Sequence, residues 1–149
     1  MVIGELCTRK VIIASRNTPV GEAAKLMREH HAGDIVVTEE SGAKVVPIGI
    51  VTDRDIVMAI VARELSPEGL SVGDIMTGGL VTAKARDGVF ETIQLMRTEG
   101  IRRAPIVDDT GALVGIVSLD DLLELLAEEL GNLAGLLRQE RRREIEVRK

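Results

Sequence analysis

The sequence repeats itself, and that repeat constrains the fold more than any other feature. A shift of 69 residues, carrying Gly4 onto Gly73, aligns Ile3–Ala43 with Val72–Ala112. Thr8/Thr77, Ala14/Ala83, Val20/Val89, Glu22/Glu91, Leu26/Leu95, Met27/Met96, Arg28/Arg97 and Gly42/Gly111 are identical pairs, and most others keep their character. Extra residues within Lys44–Ile48 then shorten the shift to 66, so that Gly49-Ile50-Val51-Thr52-Asp53-Arg54-Asp55 falls on Gly115-Ile116-Val117-Ser118-Leu119-Asp120-Asp121. The chain therefore reads as two related halves, 1–66 and 67–127, and a tail over 128–149, with Ser66-Pro67-Glu68-Gly69 at the boundary.

Both halves have the same expected layout. A short strand (Val11–Ile13, Leu80–Thr82) leads to a helix, with Thr18 capping Pro19–His30 and Asp87 capping Gly88–Glu99. Two strands follow, Asp34–Thr38 with Ile48–Val51 and Ala104–Val107 with Leu113–Val117, turning at Ser41-Gly42 and Thr110-Gly111. A second helix starts at Asp53 and at Leu119. One half alone is too small to bury both faces of such a sheet, so the halves are expected to pack on each other. In the tail, leucines from Leu122 to Leu137 form a stripe along one long helix, interrupted by Gly131 and Gly135. Asp120–Glu129 holds five acids and no base, whereas Arg138–Lys149 holds six bases and three acids, a polarity that suits the helix dipole.

Composition excludes several function classes. There is no Trp or Tyr, and Phe90 is the one Phe, so the core is aliphatic and stacking platforms for single-stranded nucleic acid are absent. A net charge of −5 gives no overall attraction to nucleic acid or anionic lipid. The longest apolar run, Ile56–Ala62, falls well short of the roughly 20 residues of a membrane span. Cys7 is the sole cysteine, and the opening Met1-Val2-Ile3-Gly4-Glu5 does not read as a secretory leader, so a cytoplasmic location is expected. No nucleophile elbow, phosphate-binding Walker loop or dinucleotide fingerprint occurs, so no enzyme chemistry can be assigned. His30-His31 lacks companions at metal-ligand spacing and reads as an exposed helix end, with no metal expected. Cys7 matches Met76 and reads as a core residue.

The paired Gly-Ile-Val-Thr-x-x-Asp (Gly49–Asp55) and Gly-Ile-Val-Ser-x-x-Asp (Gly115–Asp121) resemble the signature of CBS domains, named after cystathionine β-synthase. Asp74-Ile75-Met76-Thr77, Ile101–Asp108 and His31–Val37 resemble further motifs of that family in the same order. The resemblance covers about residues 1–127 and implies a stand-alone tandem pair, or Bateman module. The implied fold is α/β (α+β): two βαββα motifs related by a pseudo-two-fold axis with their sheets packed together, followed here by the long C-terminal helix. The implied function is non-catalytic: a regulatory, energy-sensing module with clefts for AMP, ADP or ATP, or for S-adenosylmethionine or NAD, and no required cofactor. A disc-like homodimer and a regulated partner protein are implied too, with neither nucleic acid nor membrane expected.

The residues themselves suit a nucleotide. In each motif the hydroxyl of Thr52 or Ser118 stands where strand passes into helix, a place that favours a phosphate. The acid three residues on, Asp55 or Asp121, can accept from ribose hydroxyls. The same residues also serve as plain helix caps with no ligand, and spacing alone leaves the two readings open. The expected first cleft comprises Val11, Ile12, Gly33, Asp34, Ile35, Thr52, Arg54 and Asp55; the expected second comprises Val81, Thr82, Arg102, Arg103, Ala104, Pro105, Ser118 and Asp121. Arg102 and Arg103 can fork onto phosphate, whereas their first-copy counterparts are Gly33 and Asp34. Unequal clefts are therefore expected, the second taking the more highly charged nucleotide. The competing reading is an interaction scaffold with vestigial clefts, in which the leucine-rich tail does the binding.

Overall fold

The structure, a computed structural model, describes residues 1–148. It divides into two compact units, Met1–Val117 and Ser118–Lys149.

The first unit holds the first repeat and the second repeat as far as Val117. Its first half runs α1 (Ile3–Leu6), β1 (Ile13–Ser15), α2 (Val20–His30), β2 (Asp34–Ser41), β3 (Lys44–Thr52) and α3 (Asp53–Ile56), the last continued by a wider π-helical turn over Val57–Val61. The second half runs α4 (Val72–Ile75), β4 (Ala83–Lys84), α5 (Val89–Glu99), β5 (Arg103–Val107) and β6 (Leu113–Ser118). Each half forms its own three-stranded sheet, β1-β2-β3 and β4-β5-β6. The leading strand pairs parallel to the next in both, Ala14 opposite Val37 and Ala83 opposite Ile106. The β2–β3 hairpin is antiparallel and shifts register between Val37 and Thr38, where Gly49 and Pro47 are the partners and Ile48 is left over. This bulge absorbs part of the first copy's extra length.

The second unit is α6 (Leu119–Val147), one uninterrupted helix. Gly131 and Gly135 do not break it.

Several boundaries differ from the sequence reading, and the two repeats differ in the same way. The helices start one residue late, at Val20 and Val89, with Pro19 and Gly88 in the cap positions. Thr18 and Asp87 bond backward: Thr18 Oγ1 accepts from Ser15 N at 3.1 Å, and Asp87 Oδ2 from Lys84 N at 2.9 Å. Each closes the turn between strand and helix instead of capping the helix. The leading strands lie two or three residues later than the apolar runs Val11–Ile13 and Leu80–Thr82, since parallel pairing begins only at Ile13 and Ala83.

The halves interlock by exchanging their first helical turns. Ile3 N and Gly4 N donate to Asp87 O and Ala85 O of the second repeat, at 2.7 and 2.9 Å. Reciprocally, Val72 N and Gly73 N donate to Thr18 O and Arg16 O of the first, at 2.8 and 2.9 Å. The backbones approach so closely that a Cβ on Gly4 would stand 2.8 Å from Ala85 O, and one on Gly73 2.8 Å from Arg16 O. The following residue of each exchanged turn packs on the other repeat's last strand. Met76 Sδ stands 2.6 Å from where a Cβ of Gly49 would be, and Cys7 Sγ stands 2.7 Å from the matching position on Gly115. Cys7 is buried, as its place in the repeat suggests, and its Sγ donates to Gly4 O at 3.5 Å. Val72, with Ile75 and Met76 beside it, joins the core of Ala14, Ala23, Met27, Ile35, Val37 and Val51, so the exchanged α4 turn helps fill the first repeat's interior.

Candidate functional site

The site is built where strand passes into helix. Thr52 ends β3 and caps α3 through a reciprocal pair of bonds: Asp55 N donates to Thr52 Oγ1 at 3.0 Å, and Thr52 N donates to Asp55 Oδ2 at 2.8 Å. This capping box satisfies two backbone donors and fixes both side chains. The second motif is identical: Asp121 N donates to Ser118 Oγ at 3.1 Å, and Ser118 N to Asp121 Oδ2 at 3.0 Å. The helix starts at Asp53 and Leu119 agree with the sequence reading.

Around the first capping box is a cavity of about 490 Å³. Thr52, Arg54 and Asp55 contribute from the first repeat; Leu80, Val81, Ile101, Arg102 and Arg103 contribute from the second. Ile50 adds to its apolar wall, and Thr77-Gly78-Gly79 forms one edge. Gly79 has φ +73°, and no heavy atom lies within 4 Å of where a Cβ on Gly78 or Gly79 would be, so this edge is slim and open. The lining thus combines aliphatic side chains with hydroxyl, carboxylate and guanidinium groups.

Charge crosses between the repeats here. Arg103 Nε lies 3.8 Å from Asp34 Oδ1, with both side chains about a quarter exposed. Asp34 begins β2 beside Gly33, whose carbonyl accepts from Asp53 N at 3.0 Å. Asp53 Oδ1 in turn accepts from Arg54 N at 2.8 Å.

The expected site residues do not stay together. Thr52, Arg54 and Asp55 share the cavity with Val81, Arg102 and Arg103, so the residues assemble across the repeats, not within each copy. Ala104 and Pro105 are buried in β5, Ile35 is buried in β2, and half-buried Thr82 precedes β4; none of the four lines this cavity. Val11 and Ile12 are half-buried ahead of β1, where Ile12 O accepts from Val36 N at 2.9 Å. Ser118 and Asp121 belong to the helical unit. The sequence reading missed Ile50, Ile101 and the Thr77–Leu80 edge. The repeat register could have signalled the edge, because Gly78-Gly79 stands where the first copy has Arg9-Lys10. His31 ends α2 in the left-handed conformation, φ 51°, at the position of Gly100 in the second copy, and both histidines are exposed. Among the described residues no group of three or more His, Cys, Asp or Glu converges as a metal site would require.

The duplicated architecture is matched by a family model. The CBS domain model fits twice, at residues 3–62 and 72–128. The chain belongs to the CBS domain family. An uncharacterized protein of Methanopyrus kandleri is 41% identical over 123 residues, covering 83% of this chain and 61% of its own length. A CBS domain-containing protein of Bacillus subtilis, YhcV, is 37% identical over 120 residues, 80% of this chain and 81% of that protein. Among solved structures, the CBS domain pair of protein MJ0100, in complex with 5′-methylthioadenosine and S-adenosyl-L-methionine, superposes with a TM-score of 0.72 at 28% identity, over 85% of this chain and 99% of that one. The tandem CBS fold expected from the motifs is therefore the fold of this chain.

Proposed function

We propose that this CBS pair is a non-catalytic regulatory module whose cavity takes an adenosine nucleotide of the AMP, ADP or ATP class. The observation that carries the reading is the assembly, in one cavity, of the Thr52–Asp55 capping box from one repeat with Arg102 and Arg103 from the other. Adenine fits between the aliphatic faces of Ile50, Val81 and Ile101. Asp55 Oδ2 takes the Thr52 N–H, which leaves Oδ1 to accept from a ribose hydroxyl. Phosphates then extend toward the guanidinium groups, which bind such oxyanions by paired N–H donors. The adenosine ligands of the MJ0100 pair support the ligand class.

The cavity draws its walls from both repeats, so a ligand there bridges them. A ligand shifts the balance between two arrangements only by its difference in affinity for each. Regulation then acts through a changed surface presented to a partner protein or to a second copy in a disc-like homodimer, in the cytoplasm. The interaction-scaffold reading retains one favourable observation, the exposed leucines of α6.

Thermal unfolding of the purified chain with AMP, ADP, ATP, S-adenosylmethionine and NAD tests the proposal. A ligand that binds the folded state alone stabilises it by about 2.7 kcal/mol at a hundredfold excess over Kd. A rise in Tm with at least one adenine nucleotide is expected. A flat response to all five compounds overturns the reading.

A further inference from the structure

We propose that α6 pairs antiparallel with α6 of a second copy, forming a two-helix coiled coil centred between Leu130 and Leu133. Leu123, Leu126, Leu130, Leu133 and Leu137 follow one another at alternating steps of three and four residues, the spacing of a coiled-coil seam. They are between 37 and 67% exposed. From Leu123 to Arg148 every residue of the chain is exposed except the half-buried Leu125 and Gly135. Such a helix has little to hold it in water. Propensity alone leaves isolated helices marginal, and Gly131 and Gly135 each cost about 1 kcal/mol relative to Ala. Burying the leucine seam against another helix supplies the missing stabilisation.

Charge identifies the occupant and its direction. The first third of α6 is acidic, with Asp120, Asp121, Glu124, Glu128 and Glu129. The last third carries Arg138, Arg141, Arg142 and Arg143. A parallel pair sets acid beside acid and base beside base. An antiparallel pair in which Leu130 meets Leu133 of the partner subunit also sets Leu126 against Leu137 of the partner subunit. In that register the acidic segment 120–129 lies along the partner's segment 134–143, which holds all four of those arginines. A second copy of this chain thus meets four of the five seam leucines with leucine, Leu123 standing opposite Glu140 of the partner subunit, and meets the acidic segment with opposite charge.

Disulfide trapping tests the pairing and its direction. In a Cys7→Ala background, Leu126→Cys and Leu137→Cys are made as separate chains. In the antiparallel register two copies of position 126 are 11 residues apart along the helix, about 16 Å at the α-helical rise, too far for a disulfide, whose Cα atoms lie within about 6.8 Å. Mild oxidation of the mixed chains is expected to give a covalent dimer, and neither chain alone is expected to do so. Self-linking of either single variant overturns the antiparallel direction. Absence of a covalent dimer in every sample overturns the pairing altogether. Adding Arg141→Glu, Arg142→Glu and Arg143→Glu to both chains is expected to abolish cross-linking at low salt, and an undiminished yield overturns the charge argument.

Discussion

Arg103 of the second repeat is ion-paired with Asp34 of the first, Nε to Oδ1 at 3.8 Å, beside the cavity that both repeats line. The sequence places an acid at position 34 where the other copy has a base, and it is this acid that meets Arg103. Asp34 therefore offsets part of the positive charge available to a phosphate. Asp34→Asn is expected to tighten binding of ATP more than binding of AMP, by up to about tenfold, or ~1.4 kcal/mol. Arg103→Gln is expected to weaken ATP by a similar factor. Isothermal titration of both variants against both nucleotides measures the difference, which shrinks with added salt because the pair is partly exposed.

The two capping boxes are alike in geometry, yet Thr52–Asp55 is the one in the cavity. Asp55→Ala and Asp121→Ala each remove a bond to a helix N-terminus. Each is expected to cost about 1 kcal/mol, or about 2–4 °C in Tm. Only Asp55→Ala also removes the proposed ribose acceptor from this cavity. It is expected to abolish most of the nucleotide-induced rise in Tm, whereas Asp121→Ala keeps at least the part due to this cavity. Thermal unfolding with and without ADP separates the two effects.

Local chemistry made some features legible. Thr52 and Ser118, each with an acid three residues on, gave both helix starts, because a capping box is written entirely within four residues. Thr18 and Asp87 misled by one residue because a short polar side chain can bond to the turn before it as readily as to the helix after it. The apolar content of Val11–Ile13 and Leu80–Thr82 predicts strands there. In the second copy much of that content faces the cavity, through Leu80 and Val81. The exchange of α1 and α4 left no mark in the periodicity, since a four-residue helical turn shows nothing of which sheet it packs on. The cavity lining draws on both repeats, whereas the sequence reading sets Thr52, Arg54 and Asp55 apart from Val81, Arg102 and Arg103.

That exchange depends on glycines with no room for a side chain. A Cβ on Gly73 would stand 2.8 Å from Arg16 O and 2.5 Å from Arg16 Cγ. The carbonyl belongs to a backbone hydrogen-bonded to Gly73 itself, so it cannot yield without losing that bond. Gly73→Ala is expected to destabilise the fold by about 1–3 kcal/mol, as overpacking does. Gly21, inside α2, has nothing within 4 Å of its missing Cβ. Gly21→Ala is expected to stabilise by about 0.5–1 kcal/mol through helix propensity. Urea unfolding of the two variants should give shifts of opposite sign.

Asp108 follows the second repeat's central strand and holds the turn after it together. Its Oδ1 accepts from Thr110 Oγ1 at 2.6 Å, Thr110 N at 2.8 Å and Ala112 N at 3.1 Å. The Thr110 hydroxyl is the largest cause holding its carboxyl below the usual range; the two backbone N–H groups and the charge of Lys44 add to it, against a smaller opposing effect of burial. A carboxyl whose pKa is lowered by folding stabilises the folded chain at pH values above its ordinary pKa. That contribution is lost as the pH falls through the lowered one, because the folded state binds the proton less readily than the unfolded. Asp108→Asn is expected to reduce stability near pH 7 and to flatten the fall in stability below about pH 4. Unfolding midpoints between pH 7 and pH 3 check this. Equal slopes for the natural chain and the variant would mean that the turn does not depend on the charge of Asp108.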